Sequence, residues 1–417
     1  GWELGRFDLI DANGIERLLD AVRETSPDLL RGPAEAGSHA KEGPAKAGHY
    51  VQESGETLPP LIEEAVKHGG RLRHTGALPA AAPDLQILRS AKERSGVVKK
   101  NAGASLVDLG DGVLCVEFHS KMNVVGGDTI QMLQAGVREA ERNFAALVVG
   151  NEAQNFSAGA NLMLLLLEAQ EGNWEDIDAM VRAFQQANMS LRFAGVPVVV
   201  APAGLTLGGG CEISLHGDRV HAAAETYMGL VEVGVGLIPA GGGTKEMVAR
   251  AIENAPPGTT DWLPPVQRAF ETIAFAKVSS SAPDAQRLGY VRPIDSFTMN
   301  VERLLSDAKA RALQRVKEGY HPPPLRTNIP VGGDTVLAPL KLGIHLAWRA
   351  GRISDHDAVV GRKLATVMAG GQLPHVSTVT EQELLDLERE AFLGLVGERK
   401  TLERIQHTLK TGKPLRN

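Results

Sequence analysis

The chain has 417 residues, room for roughly two to three domains of about 150 residues each. Its hydrophobic (43%) and charged (23%) fractions are those of an ordinary soluble protein, while 4% aromatics and a net charge of −6 argue against base-stacking folds and general polyanion binders. Two cysteines, Cys115 and Cys211, cannot build a disulfide framework and point to a reducing, cytoplasmic compartment. No stretch approaches the roughly 20 apolar residues of a membrane span, so neither a membrane span nor nucleic-acid binding is expected. The first residue is Gly1 rather than Met, and the chain is expected to begin inside a longer protein.

Charge divides the chain into three. Residues 1–104 hold 14 Lys+Arg against 15 Asp+Glu, residues 105–264 hold 8 against 19, and residues 265–417 hold 22 against 16. An acidic middle docked on a basic tail would produce this pattern, and so would separately solvated surfaces.

Taken in order, residues 1–22 read as the end of a helical unit, with Asp11 as its cap and Ile15, Leu18, Leu19 and Val22 on one face. Residues 26–60 are rich in Gly, Ala and Pro, repeat imperfectly (GPAEAGSH, then GPAKAGHY), and read as a linker. His39 and His49 lie in this repeat without further ligands nearby, so no metal site is expected there. Residues 77–84 form a second linker-like stretch. Val113–Phe118 alternates like a strand after the turn signal at residues 110–112. Residues 145–150 and 198–201 are short apolar runs fit for buried strands. Helical spacing covers residues 177–193, a short helix opens after Gly208–Gly210, residues 219–224 are strand-like, and another helix begins at Thr244. This alternation predicts an α/β arrangement. The last 150 residues read as mostly helical over 267–276, 300–316 and 381–409, with Leu384, Leu387, Ala391 and Leu395 in the last helix and a proline break at residues 321–324.

Three Gly-rich loops stand out, at residues 157–161, 208–212 and 239–244. None is a dinucleotide fingerprint or a phosphate-binding loop ending in GKS or GKT. Two of them follow a buried strand and enter a helix. Small residues there let a ligand approach backbone N–H groups, and two such loops together can build an oxyanion hole; tight strand–helix packing uses glycine in the same way. Glu212 stands in the first helical turn after one of these loops, where the helix dipole also favours a carboxylate. Glu232 is a single carboxylate inside the apolar run 228–239, a costly placement without a task. Two carboxylates beside an oxyanion hole suit acid–base work on the carbon next to a carbonyl.

On these residues the stretch from about Ala104 to Ala251 resembles the enoyl-CoA hydratase/isomerase (crotonase) family: FSAGA at 156–160, GLTLGGGCE at 204–212, and Glu232 through IPAGGGT at 238–244. Residues 1–5 and 8–12 resemble the close of a 3-hydroxyacyl-CoA dehydrogenase helical domain. Residues 108–112, 117–123 and 411–417 resemble the hydratase half of dehydrogenase–hydratase fusions. The resemblance implies a crotonase-like ββα spiral core at 104–264, a helical C-terminal region at 265–417, a connecting segment at 26–103 and a dehydrogenase remnant at 1–25.

It further implies hydration of 2-enoyl-CoA to 3-hydroxyacyl-CoA in fatty-acid β-oxidation, with an acyl-CoA thioester as partner and a homo-oligomer as assembly. The N–H groups of Ala160 and Gly209 would hold the thioester oxygen. Glu212 and Glu232 would be the catalytic pair, their individual roles left open. Lys121 and Met122 would line the CoA arm, and Ala158, Asn161, Leu162 and Gly208 the substrate wall. No metal or cofactor is implied for hydration; NAD would serve only the absent dehydrogenase part. Asn161 stands where many members have Asp. The apolar run 162–168 would line an acyl tunnel or form a buried helix. A double-bond isomerase is the alternative on the same scaffold, and a catalytically silent acyl-CoA-binding or assembly module the alternative outside catalysis.

Overall fold

The computed structural model describes residues 85–417, which belong to one compact unit beginning at Asp84. The expectations for residues 1–84, including the helical remnant, the repeat and its two histidines, lie outside the described residues.

A seven-stranded sheet in the order β1-β2-β3-β4-β5-β7-β9 organises this unit. Strands β1 (Val97–Lys100), β2 (Ala104–Asp108) and β3 (Val113–Phe118) run antiparallel to one another. From β3 onward the sheet is parallel through β4 (Ala146–Gly150), β5 (Val198–Ala201), β7 (Arg219–Ala223) and β9 (Ser296–Thr298). Strands β3, β4 and β5 are buried along their whole length. The reason is coverage of both faces, which makes strand residues apolar on either side. Leu114, Val116 and Leu147 pack towards Met132 and Leu133 of α2 (Gly127–Asn143) and Leu191 of α4 (Trp174–Arg192). Their neighbours Val113, Cys115 and Val148 pack towards Leu88 of α1 (Leu88–Ser95) and Leu304, Leu305 and Ala308 of α9 (Leu304–Lys317). Val113–Phe118 is therefore a strand, but without the half-exposed alternation expected of it.

Two short strands, β6 (Gly204–Leu207) and β8 (Thr226–Gly229), pair in parallel outside the main sheet. The remaining helices of the middle of the chain are α3 (Leu162–Glu171), α5 (Gly209–Leu215) and α6 (Gly243–Glu253). The C-terminal region follows with α7 (Leu263–Ala274), α8 (Ala282–Arg287), α10 (Asp334–Arg349), α11 (Asp355–Met368), α12 (Glu381–Val396) and α13 (Arg399–Thr411). A small antiparallel pair, β10 (Ile329–Val331) and β11 (Ser377–Val379), ties two of its connections together.

Three boundaries differ from expectation. The sheet begins at Val97, because β1 pairs with β2, so the core does not start at 104. It ends at β9, inside the region read as helical, because His221–Ala223 of β7 pair with Ser296–Thr298. The helix expected over 381–409 is two helices parted at Gly397 and Glu398.

Ion pairs join the acidic middle to the basic tail: Asp218–Arg315 at 2.8 Å, Asp111–Lys309 at 2.8 Å, Asp178–Arg389 at 2.9 Å and Glu246–Arg326 at 2.9 Å. The charge division thus reflects docking of one region on the other. Among the described residues no helix is long and apolar enough to cross a membrane.

Candidate functional site

The first Gly-rich loop leaves β4 and runs beside β6. The Ser157 N–H donates to the Leu205 carbonyl at 3.0 Å and the Leu207 N–H to the Ser157 carbonyl at 3.0 Å. Gly159 then turns at φ +97°, a left-handed value that favours glycine. A Cβ there would stand 3.2 Å from the Leu207 carbonyl oxygen, so the glycine also lets the two loops touch. Val125 bridges to this loop by donating its N–H to the Gly159 carbonyl and accepting from the Asn161 N–H, which leaves the Ala160 N–H outside the bridge.

The second loop turns at Gly208, with φ +52°. The Gly208 N–H donates to the Gly229 carbonyl at 2.9 Å, extending the β6–β8 pairing. A Cβ at Gly208 would sit 3.2 Å from Glu232 Oε1 and 3.7 Å from the Gly159 Cα. Gly209 opens α5, where the first N–H groups have no partner inside the helix. The Ala160 and Gly209 N–H groups are thus carried on two turns in contact, next to the Glu232 carboxylate.

Glu212 is buried and projects from the first turn of α5 to the third loop. Its Oε1 accepts from the Gly241 and Gly243 N–H groups, each at 2.8 Å. Burial pushes its carboxyl up to about 7, against the pull of those two N–H groups and of the Lys245 charge. Glu232 opens a single 3-10 turn, Glu232–Val235, after β8. Its Oε2 is buried and takes no hydrogen bond among the described residues. Burial, and secondarily the nearby Glu212, hold its carboxyl well above the usual range. Two carboxylates from different elements therefore meet in one low-dielectric place, Glu212 with an oxygen anchored by two N–H donors and Glu232 with one oxygen, Oε2, that has no partner among the described residues.

The remaining expected residues fall around these. Lys121 and Met122 form a 3-10 turn ending at Asn123, with Met122 and Asn123 at positive φ. The Met122 carbonyl accepts from the Ala158 N–H at 3.1 Å, which seats this turn against the first loop. The Asn161 side chain caps α3, accepting from the Leu164 N–H at 3.2 Å; a carboxylate would cap in the same way. Leu162 begins that helix and is half-buried. The apolar run is not uniformly buried: Leu165 and Leu166 face the core, while Met163 (51%) and Leu167 (47%) are exposed on another face.

Sequence reasoning missed what lies behind the third loop. Glu388 of α12 is fully buried and accepts from the Gly242 N–H at 2.5 Å, the Lys245 N–H at 3.0 Å and Gln185 Nε2 at 3.3 Å. Asn188 donates to the Gly241 carbonyl at 2.7 Å, and Gln185 to the Ala240 carbonyl at 2.9 Å. His216 Nε2 lies 3.0 Å from the buried Lys245 ammonium and Nδ1 2.7 Å from the Glu212 carbonyl. A lysine ammonium only donates, so Nε2 accepts and Nδ1–H donates, and the ring is neutral. Burial and the Lys245 charge lower its proton affinity accordingly. The signal for Glu388 was faint: it stands one turn from Leu384 on a buried stripe, but its chain neighbours Asp386, Arg389 and Glu390 are charged. Among the described residues no group of three His, Cys, Asp or Glu side chains is placed to hold a metal ion.

A mostly parallel sheet, paired outer strands β6 and β8, and two touching Gly-rich turns beside a carboxylate pair define a crotonase-like fold. Residues 112–254 match the model of the enoyl-CoA hydratase/isomerase family. The whole chain is 42% identical over 420 residues to a Bacillus subtilis (strain 168) protein named "Probable 3-hydroxyacyl-CoA dehydrogenase", covering 50% of that protein. It is 29% identical over 330 residues (78% of this chain, 42% of the relative) to a Rickettsia felis protein named "Putative fatty acid oxidation complex trifunctional enzyme". The chain thus spans half or less of the length of these relatives. Among solved structures, the enoyl-CoA hydratase of Bacillus halodurans superposes with a TM-score of 0.50 at 16% identity, covering 73% of this chain and 99% of that one.

Proposed function

We propose that this chain hydrates 2-enoyl-CoA thioesters to 3-hydroxyacyl-CoA in fatty-acid β-oxidation. The carrying observation is the meeting of Glu212 and Glu232 beside the Gly159 and Gly208 turns, which bring the Ala160 and Gly209 N–H groups to one place. In this reading those two N–H groups donate to the thioester oxygen and stabilise the enolate as charge develops. Glu212, whose Oε1 holds two N–H donors, is the carboxylate better suited to stay ionised and take a proton from the attacking water. The hydroxide adds to Cβ and the electron pair moves onto the thioester oxygen. Glu232, held neutral by burial, delivers its proton to Cα as the enolate collapses. The water's proton on Glu212 then returns to Glu232 or leaves through solvent, and the pair is reset. Lys121 and Met122 are assigned to the CoA arm, and Ala158, Asn161, Leu162 and Gly208 to the acyl side.

The reading needs no metal or redox group, because backbone dipoles stabilise the enolate. The dehydrogenase name of the Bacillus relative and its greater length support a further reading, that this chain is the hydratase half of a dehydrogenase–hydratase. NAD would then serve the other half, since no dinucleotide fingerprint lies in the residues given. Hydration is tested by following the conjugated enoyl thioester absorbance of crotonyl-CoA. Loss of absorbance supports the reading, and no change with folded protein rejects it.

A further inference from the structure

Four N–H groups of one short loop are divided between two carboxylates. Gly241 and Gly243 donate to Glu212 Oε1, each at 2.8 Å. Gly242 donates to Glu388 Oε1 at 2.5 Å and Lys245 to Glu388 Oε2 at 3.0 Å. The loop is thus gripped from the site by α5 and from behind by α12, which lies more than a hundred residues further along the chain. There is no slack in this arrangement. A Cβ at Gly243 would stand 2.7 Å from Glu212 Oε1, one at Gly241 2.9 Å from Glu212 Oε2, and Gly242 sits at φ +103° with His216 2.7 Å from its own added Cβ. Without the Glu388 acceptors the Gly242 and Lys245 N–H groups would be left unpaired in the interior, and a loop that moves to satisfy them cannot keep the Gly241 and Gly243 N–H groups in place on Glu212.

We propose that Glu388 is a positioning residue for Glu212, acting through the Gly241–Lys245 loop. The C-terminal helices then complete the site rather than merely cover it. The Glu232 turn is held from the same side: Thr401 Oγ1 donates to the Gly236 carbonyl at 3.0 Å, and Arg404 Nη1 to the Val233 carbonyl at 3.4 Å. The proposal rests on the reading of Glu212 as an acid–base group, and its test is chosen to stand apart from turnover.

The ionisable groups facing Glu212 are Glu232 on the 3-10 turn, Lys245 on α6, Glu388 on α12, its own neighbour Cys211, and the neutral His216 on its carbonyl. Glu212's titration reports the loop's position, because the Gly241 and Gly243 N–H groups favour its ionised form. Burial and Glu212 push the Glu388 carboxyl up to about 8, so it accepts at both oxygens only when ionised, whereas in Glu388→Gln an amide nitrogen that cannot accept faces one of the two backbone donors at every pH. The full chain, labelled with carbon-13 at glutamate carboxyls and assigned through Glu212→Gln, is titrated by NMR as wild type, Glu388→Gln, Glu388→Asp and Glu390→Gln. Glu390 is an exposed carboxylate on the same helix. Expected is an upward move of the Glu212 midpoint by about one pH unit in Glu388→Gln, a smaller one in Glu388→Asp, and none in Glu390→Gln. An unmoved midpoint, or a downward one as simple removal of a like charge would give, overturns the proposal. If Glu388→Gln does not fold, Glu388→Asp carries the same test. If wild type also hydrates crotonyl-CoA, kcat of Glu388→Gln falls about tenfold or more with KM within about threefold. Absence of hydration by wild type rejects the functional reading and leaves the titration to decide the role of Glu388.

Discussion

At the residue scale, two carboxylates of one chemical type are made unlike by their surroundings. Glu212 is buried but solvated by two backbone N–H groups, whereas the Glu232 Oε2 is buried with no donor among the described residues. That difference assigns their proposed roles and yields two predictions. Glu232→Gln keeps the shape of the side chain and removes the proton it would deliver. Hydration is expected to fall by about 10²–10⁴-fold, the usual worth of a positioned acid, while acyl-CoA affinity by calorimetry stays within about threefold. Unaltered turnover rejects the role. Gly208→Ala forces an L side chain into φ +52° and places a Cβ 3.2 Å from Glu232 Oε1. Urea unfolding is expected to show a loss of about 1–2 kcal/mol, together with reduced turnover. A variant as stable and active as wild type contradicts the described turn.

At the element scale, the site is assembled by contacts between segments distant in sequence. The pairing of β6 with β8 sets Glu232 next to Gly208, and α12 reaches back to the third loop. A buried charge cluster secures the same joint. Lys245 meets Glu246 at 3.0 Å and Glu381 at 3.3 Å, and Arg326 meets Glu246 at 2.9 Å and Glu253 at 2.6 Å. Removing Arg326 leaves Glu246 with Lys245, Arg192 and Arg250 and Glu381 with Lys245 and Arg192, but weakens the compensation of both buried carboxylates. Arg326→Ala is therefore expected to cost about 3 kcal/mol in denaturant unfolding. A loss below about 1 kcal/mol, the size of a surface pair, would show that this joint contributes little.

These elements also show what was legible in the sequence. The three Gly-rich loops, Glu212 and Glu232 were readable because glycine at a strand–helix turn and a carboxylate in an apolar run each break a local rule. Glu388 breaks no such local rule: it lies among Asp386, Arg389 and Glu390, and only its helical spacing between Leu384 and Ala391 puts it on the buried face. The β6–β8 register and the pairing of β7 with β9 carry no local signature, since both depend on which distant strand edges meet. The break at Gly397 and Glu398 was hidden by apolar periodicity continuing across it, from Leu395 to Leu402 and Ile405.

At the scale of the whole molecule, the acidic and basic thirds of the chain are joined by ion pairs, and the proposed role of Glu388 would make the hydratase chemistry proposed for the first depend on the second. The pH dependence of the complete reaction follows from the carboxylate pair. Glu212 acts ionised, and burial pushes its carboxyl up to about 7. The rate should therefore fall as pH drops through about 7. Glu232 acts protonated, and burial holds its carboxyl well above the usual range, so the rate should also fall on the alkaline side as it ionises. A bell-shaped kcat/KM profile is expected, and a profile with no acid limb near pH 7 would contradict this division of roles.

The most direct measurement of the central claim mixes the purified chain with crotonyl-CoA and follows the conjugated enoyl thioester absorbance. The account predicts that the absorbance decays with the wild-type chain and does not decay with Glu232→Gln. A folded wild-type chain that leaves the absorbance unchanged would contradict it.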